Sequence, residues 1–400
     1  MKNKIIYIGN FDFPFGNAAG KRVLGNSEVL RLIGYDIVCI GVKRNASQTI
    51  SETKFEYHGI TACSVPYKTD IKRMRYKKYT VPVLSFIESE IGIEAVYAII
   101  LYGSLTNSFG ANYIINWSKK HDIKIISDVV DWLKGTMSNP LVSLVKNADV
   151  SIMMRYVNKR TDGNIVISRY LQKFYARMDT LLLPPLTSQD SNTFINKEKD
   201  INERLHIIYA GNPFRKGRHK LPVKYFKDRL DIVINLICDA IECGCDLNLK
   251  IYGLEEKDFV KALDESETIE KYMRHKSHII FYGVKSNAEV CDAIVNSDYS
   301  ILIRDIKKAT LAGFSTKISE SISLGTPVIT NECGDNSCYI KNGVTGFLLS
   351  NNYLLALEQF INIANMDTGD MILLKEKCGK AKYLKPEEYA NNTREFLRKL

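Results

Sequence analysis

Residues 310–336 read TLAGFSTKISESISLGTPVITNECGDN. A polar loop leads into a helical pattern that ends at Gly325, and Pro327 opens a short apolar strand, TPVIT. Glycine just past the last helical residue and proline beyond it are ordinary stop signals of a helix. Upstream, YSILIR is another apolar run that ends on Arg304, so the local order is strand, helix, strand. A unit of this kind joins two parallel strands through a crossover helix. The alternation extends in both directions. In the second half LHIIYAG, LNLKIYG, HIIFYG and GFLL read as buried strands. Helices are expected over NAEVCDAIVNSD and over KDRLDIVINLICDAIECG, which ends at Gly244. In the first half KIIYIG, DIVCIGV, AVYAIILYG, KIISDVV and GNIVIS alternate with the helical patterns AAGKRVLGNSEVLRLIG and GANYIINWSKKHD. Runs of Ile and Val without polar alternation are what strands covered on both faces require. The expected fold class is α/β, with two Rossmann-like, doubly wound parallel-sheet domains. Pro184-Pro185 and the polar, charged stretch after them mark the seam. This gives domains over 1–183 and 205–385, a linker over 184–204, and a helical tail over 386–400. Two such domains facing a central cleft would bring the C-terminal ends of both sheets to it, where open α/β folds bind ligands.

Four hundred residues suit two domains rather than one core. The chain is 45% hydrophobic and 25% charged, an ordinary globular composition. It contains no run of the ~18 apolar residues that a membrane span needs. The apolar run in MKNKIIYIGNFDF is too short for a signal-peptide core and reads as the first strand, which places the protein in the cytoplasm. Nine scattered cysteines without a C-x-x-C pair read as free thiols. The net charge of +10 implies an acidic partner. Part of that charge is concentrated in residues 67–87, where Lys68, Lys72, Arg73, Arg75, Lys77 and Lys78 lie among aromatic residues. Basic residues beside Tyr76, Tyr79 and Phe86 suit an anionic membrane surface, and they suit a solvated helix face as well.

Several chemistries lack their residues. There is no G-x-S-x-G elbow, no Walker loop, no G-x-G-x-x-G after a strand, no metal-ligand spacing among the six histidines and no D-x-D. No metal or cofactor is therefore expected. Glycine loops and basic side chains at strand ends remain. After the first strand, Gly16 and Asn17 lie in GNFDFPFGNAAGKRV, where small residues let a ligand approach a helix N-terminus. After the first strand of the second half, YAGNPFRKGRHKLPVKYFKDRLD carries Arg215 and Lys227, a basic loop suited to a diphosphate. In the opening stretch, Phe314, Ser315, Thr316 and Lys317 enter a helix with Glu320 in its first turns. A lysine at a helix start opposes the dipole, and a bound phosphate would relieve it. Glu320 can accept hydrogen bonds from a diol, or it can serve as a capping acid.

FSTKISESISLGTPVIT, taken with AGNPFRKG…KDRLD, GNAAGKR and NGVTGFLL, resembles the GT-B glycosyltransferases of family 4. It is most similar to bacterial enzymes that build capsule, exopolysaccharide or lipopolysaccharide repeats, which often read F-P-x-K-x-x-E-x-x-x-x-G-x-P-V here. GNIVISRYLQKFY…LLLPPL agrees with that layout, and the resemblance spans roughly residues 1–350. It implies a GT-B fold, an acceptor-binding first domain, a donor-binding second domain and a tail that crosses back to the first. It implies a retaining transfer from a nucleotide diphosphate sugar to a glycan or lipid-linked glycan, at the inner face of the plasma membrane and without nucleic acid. Glu320 then falls on the ribose-holding glutamate. Arg304, Lys317 and the N–H groups of Phe314 to Thr316 fall where diphosphate is held. Lys227 falls near the phosphate lysine, with Arg215 a second basic residue. Gly16 and Asn17 match the loop that approaches the donor sugar. Asp131 in SDVVDWL lies where sugar- or acceptor-facing groups are found, and with Lys227 and Arg304 makes the catalytic set. The family's first motif glutamate is here Ala312. Two rival readings remain, a nucleotide-sugar epimerase and a non-catalytic, nucleotide-sugar-binding accessory subunit.

Overall fold

A computed structural model describes residues 2–44, 49–67, 76–103, 105, 107–132, 140–187, 204–214, 226–263 and 266–400. The chain forms two compact units, one of residues 1–188, 312–314 and 385–400, the other of 189–311 and 315–384.

The first unit is built on β1 (Lys4–Gly9), β2 (Asp36–Arg44), β3 (Phe55–Tyr57), β4 (Ile60–Tyr67), β5 (Val96–Tyr102), β6 (Lys124–Val129), β7 (Gly163–Val166) and β8 (Thr180–Leu182). They form one sheet in the order β3-β4-β2-β1-β5-β6-β7-β8. All pairings are parallel except β3 with β4. Alternate residues of the central strands feed opposite faces. Ile6, Ile8, Ile99 and Leu101 belong to one core cluster, and Ile5, Tyr7, Ala98 and Ile100 to the other. The β3–β4 hairpin, which the sequence reading did not foresee, turns on His58 (φ 48°) and Gly59 (φ 69°), with Tyr57 paired to Ile60. Two positive-φ residues in a two-residue loop match the right-handed twist of the flanking strands.

The helix Ala390–Lys399 also belongs to this unit. Phe396 and Leu397 are buried in the cluster with Ile126, Ile165 and Leu181, and the Tyr97 hydroxyl donates to the Leu397 carbonyl at 2.8 Å. A Cβ on Gly163 would lie 2.8 Å from Phe396 Cζ, so β7 needs glycine where this helix crosses it.

Residues 76–87 correct the membrane reading. Tyr79 and Phe86, on the helix Lys77–Phe86, are buried in the core with Val83 and Leu84. They are therefore not surface aromatics. Lys77 and Lys78 are exposed at the start of that helix, and Lys72, Arg73 and Arg75 lie outside the described residues.

The second unit has β9 (Leu205–Ala210), β10 (Leu247–Tyr252), β11 (Ile279–Gly283), β12 (Tyr299–Leu302), β13 (Val328–Asn331) and β14 (Gly346–Leu349). They pair in parallel in the order β11-β10-β9-β12-β13-β14. The chain reverses its direction of travel between β9 and β12, as it does between β1 and β5 in the first unit. In open parallel sheets this switch point opens the crevice at the strands' C-terminal ends.

Candidate functional site

Four segments of the second unit meet beside the β9/β12 switch point. Tyr209 is the penultimate residue of β9. Asp228 precedes the helix Leu230–Glu242, which starts later than KDRLD suggested. Arg304 follows β12, and Lys317 lies in the first turn of the helix Thr316–Ser323.

Backbone bonds hold these segments in place. Lys227 N donates to Pro213 O and Arg229 N to Ile303 O, both at 2.8 Å, so Asp228 is fixed on either side. The Arg229 guanidinium bridges Asp231 at 2.6 Å and Asp305 at 2.7 Å, tying the helix start to the segment after β12. Arg304 is held by Asn331, whose Oδ1 accepts from Arg304 N at 2.9 Å and whose Nδ2 donates to Arg304 O at 2.8 Å.

Asp228 is buried and takes one cation on each oxygen. Arg304 Nε donates to Oδ1 at 2.8 Å, and Lys317 Nζ donates to Oδ2. The Tyr209 hydroxyl also donates to Oδ2, at 2.9 Å, and Lys317 Nζ lies 5.1 Å from the Tyr209 ring centroid. Burial by itself raises the Asp228 pKa, but Lys317, Arg304 and Lys227 together hold it below the usual carboxylate range. Burial, reinforced by Asp228, pushes the Tyr209 hydroxyl well above its ordinary value, so it stays protonated and donates. Gly211 (φ 152°) makes room for the lysine, since a Cβ there would lie 1.9 Å from Lys317 Cε.

One carboxylate against two cations leaves the cluster net positive, with the exposed Lys227 beside it. Ser315, the residue before the helix, makes no side-chain cap bond, and its Oγ and that of Ser319 are buried without hydrogen-bond partners among the described residues. A cationic pair, unpaired hydroxyls and a helix start together suit an oxyanion.

The structure thus brings Arg304 and Lys317 together and leaves Lys227 at the edge. It corrects the account of Lys317, whose countercharge is already present as Asp228. Glu320 lies in the second turn rather than the first, and that first turn holds no acid. It is half-buried, three residues beyond Lys317, on the same helix face, and the Cys291 thiol approaches its Oε1 at 3.8 Å. Phe314 is buried and groups with the first unit together with Ala312, while Thr316 is half-buried. Arg215 lies outside the described residues.

In the first unit, Asn17 caps the helix Ala18–Leu32, its Oδ1 accepting from Gly20 N at 2.8 Å. A Cβ on Gly16 would meet the Asp12 side chain at 2.3 Å, which gives this glycine a packing role. Asp131 is half-buried just past the C-terminal end of β6. Asp228 and Tyr209 were missed. The sequence signal for Asp228 was indirect: Arg304 and Lys317, once placed at strand and helix ends, need a counterion.

Residues 216–362 match the family model described as glycosyl transferases group 1. No curated protein matches the chain. Among solved structures it is similar to HepE of Anabaena in complex with UDP, at 15% identity and a TM-score of 0.63, covering 99% of this chain and 100% of that one. It is similar to sucrose-phosphate synthase of Thermosynechococcus elongatus, at 12% identity and a TM-score of 0.67, covering 99% and 98%. It is also similar to WaaG, a glycosyltransferase involved in lipopolysaccharide biosynthesis, at 13% identity and a TM-score of 0.58, covering 97% and 99%. The fold is that of the GT-B glycosyltransferases.

Proposed function

We propose that this chain is a retaining glycosyltransferase that moves a sugar from a nucleotide diphosphate sugar to a hydroxyl of a glycan or lipid-linked glycan in bacterial surface polysaccharide synthesis. The observation that carries the reading is the Arg304–Lys317 pair held on Asp228 at the start of the helix Thr316–Ser323, within the segment that matches glycosyl transferases group 1. In the transfer, the bond from the anomeric carbon to the diphosphate oxygen breaks and a bond to the acceptor oxygen forms. Negative charge grows on the leaving diphosphate, where preorganised cations and N–H groups are worth most. The departing phosphate oxygen takes the acceptor's proton. Arg304 and Lys317 supply the charge without a metal, Glu320 holds the ribose diol, and the cationic Lys227 and Arg215 add attraction for the anion. Gly16, Asn17 and Asp131 serve the sugar and acceptor.

HepE was solved with UDP and with UDP-glucose, so UDP is the first nucleotide to titrate, followed by GDP and ADP. We expect one of them to bind in EDTA, and Glu320→Ala to lose about tenfold or more in affinity with its melting temperature retained, as for a charged hydrogen bond. Binding by none, or only with Mg²⁺ or Mn²⁺, would overturn the reading. Sugar transfer only with acceptor separates a transferase from an epimerase, and binding without turnover identifies an accessory subunit.

A peripheral position on the cytoplasmic face of the membrane is the second part of the proposal. Among the described residues no helix is long and apolar enough to cross a membrane. The first unit does carry apolar side chains in the open. On the helix Pro140–Arg155, Leu141 is 72%, Leu144 68% and Val145 70% exposed, and Phe109 on the helix Ser108–Lys120 is 63% exposed. The Ser108 hydroxyl and N–H bond to Asp149 Oδ1, joining these helices. Phe109 stacks at 6.4 Å on Tyr76, next to the exposed Lys77 and Lys78. An apolar surface with a basic edge suits an anionic bilayer. Sedimentation with phosphatidylglycerol vesicles should fall on Leu144→Ser and on joint neutralisation of Lys77 and Lys78. Unchanged sedimentation removes this surface from the proposal.

A further inference from the structure

We infer that Asp228 is the positioning residue of the donor site: its carboxylate turns the Arg304 fork and the Lys317 ammonium toward an incoming diphosphate. The inference rests on the donor-site reading above and goes beyond it by giving an acid a role in binding an anion.

The geometry favours positioning over simple neutralisation. Asp228 engages Arg304 through Nε, and among the described residues the two terminal nitrogens of that guanidinium donate to nothing. A carboxylate that merely neutralised an arginine would be expected to take the terminal fork, the preferred bidentate arrangement. Here the fork is left for another oxyanion, while Nε fixes the plane in which it lies. Both stems are independently anchored, Arg304 by the two Asn331 bonds and Asp228 by the flanking backbone bonds. Lys317 is the flexible member. Its side chain is 20% exposed, against 7% for Arg304 and 1% for Asp228. A lysine stem without a partner samples many rotamers, so the bond to Oδ2 gives Lys317 a defined direction. Tyr209 donates to the same oxygen and keeps the carboxylate from rotating away. The groups facing Asp228 are thus Tyr209 from β9, Arg304 after β12, Lys317 from its helix and Lys227 from its own loop.

The sign of one measurement separates the two roles. Removing a negative charge from an anion site strengthens anion binding if that charge only opposes it, and weakens binding if the charge holds the cations in place. The probe is inorganic pyrophosphate, titrated calorimetrically into the whole protein beside UDP, GDP and ADP. We expect Asp228→Asn to weaken pyrophosphate by about tenfold or more, as for a charged hydrogen bond. Tyr209→Phe, which keeps every charge, should weaken it by about threefold, less than Asp228→Asn because Tyr209 acts on the cations only through the carboxylate. The spectroscopic counterpart is the Arg304 Nε–H resonance. It should be protected from exchange in wild type and in Tyr209→Phe, should be lost in Asp228→Asn, and should stay in place when pyrophosphate binds. Equal or tighter pyrophosphate binding by Asp228→Asn overturns the inference, as does displacement of the Nε–H signal by pyrophosphate. Should Asp228→Asn fail to melt cooperatively, Tyr209→Phe decides, and unchanged affinity there overturns it. A wild type that binds neither pyrophosphate nor any nucleoside diphosphate overturns the donor-site reading itself, and this inference with it.

Discussion

Asp128 and Asp228 are two buried carboxylates built from the same kit. Each accepts from a tyrosine of the first strand in its sheet, Tyr7 in β1 and Tyr209 in β9, and each is paired with an arginine. They differ in what completes the set. Asp128 is closed off by Arg22, which reaches it through Nε and Nη2 and spends Nη1 on the Leu183 carbonyl at 2.9 Å, and by Asn26 at 3.1 Å. Arg22 is 1% exposed, whereas Lys317 on Asp228 is 20% exposed. The first cluster is a clamp across β1, β5 and β6, with every nitrogen of its arginine used. The second leaves the arginine's terminal nitrogens without a hydrogen-bond partner among the described residues, and part of a lysine exposed. A similar acid–base–phenol cluster serves cohesion when sealed, and in the proposed reading it serves donor binding when its arginine and lysine keep donors to spare.

The largest effect should come from the sealed side. Arg22→Met leaves Asp128 buried without its cation, and we expect a loss of about 3–5 kcal/mol in denaturant unfolding of the first unit. Pyrophosphate affinity of the folded protein should be unchanged, and a parallel loss of binding would break the division of labour. The next test uses pH. Because the folded pKa of Asp228 is lowered, its ionisation adds stability above the unfolded value near ~4, and that contribution is lost as pH falls toward and through the folded value. At pH 7 wild type should exceed Asp228→Asn by about 2–3 kcal/mol, and the gap should narrow steadily in melts taken below about pH 4. A gap independent of pH would assign the difference to packing. The smallest effect concerns Gly211. Its missing Cβ leaves the space that Lys317 Cε occupies and its φ of 152° disfavours a side chain, so Gly211→Ala should strain this turn and displace Lys317 while the rest of the fold stands. Pyrophosphate affinity should fall by about tenfold, or ~1.4 kcal/mol, in the same calorimetric titration.

Much of the fold was legible because its strands are covered on both faces and announce themselves as unbroken apolar runs. KIIYIG, AVYAIILYG, LHIIYAG and YSILI all became strands. The β3–β4 hairpin escaped notice because FEY is only three residues long and largely exposed, its turn is His-Gly rather than Asn-Gly, and Pro66 interrupts the apolar character of ITACSVPY. In the site, Lys317 and Arg304 were readable as cations at the ends of elements. Asp228 was not, because an acid between Lys227 and Arg229 looks like one more solvated charge. Its burial follows from bonds to Pro213 and Ile303, which are distant in sequence and leave no local pattern. The aromatic reading of residues 76–87 failed for a related reason. Tyr79 and Phe86 lie seven positions apart on one helix face, and that face turned out to be the inner one.

The helix Ala390–Lys399 makes completion of the first unit's core wait on residues that follow the whole second unit in the chain. The ribosome releases β1 through β8 first, yet the core of that sheet includes Phe396 and Leu397, which emerge only after the entire second unit has been made. The earliest-synthesised half must wait with Tyr97, Gly163, Ile165 and Leu181 uncovered, while residues 204–384 already hold all six strands of the later sheet. Growing chains usually mature from their N-terminal domain onward. Until that helix arrives, the first unit is the half that a chaperone would find exposed.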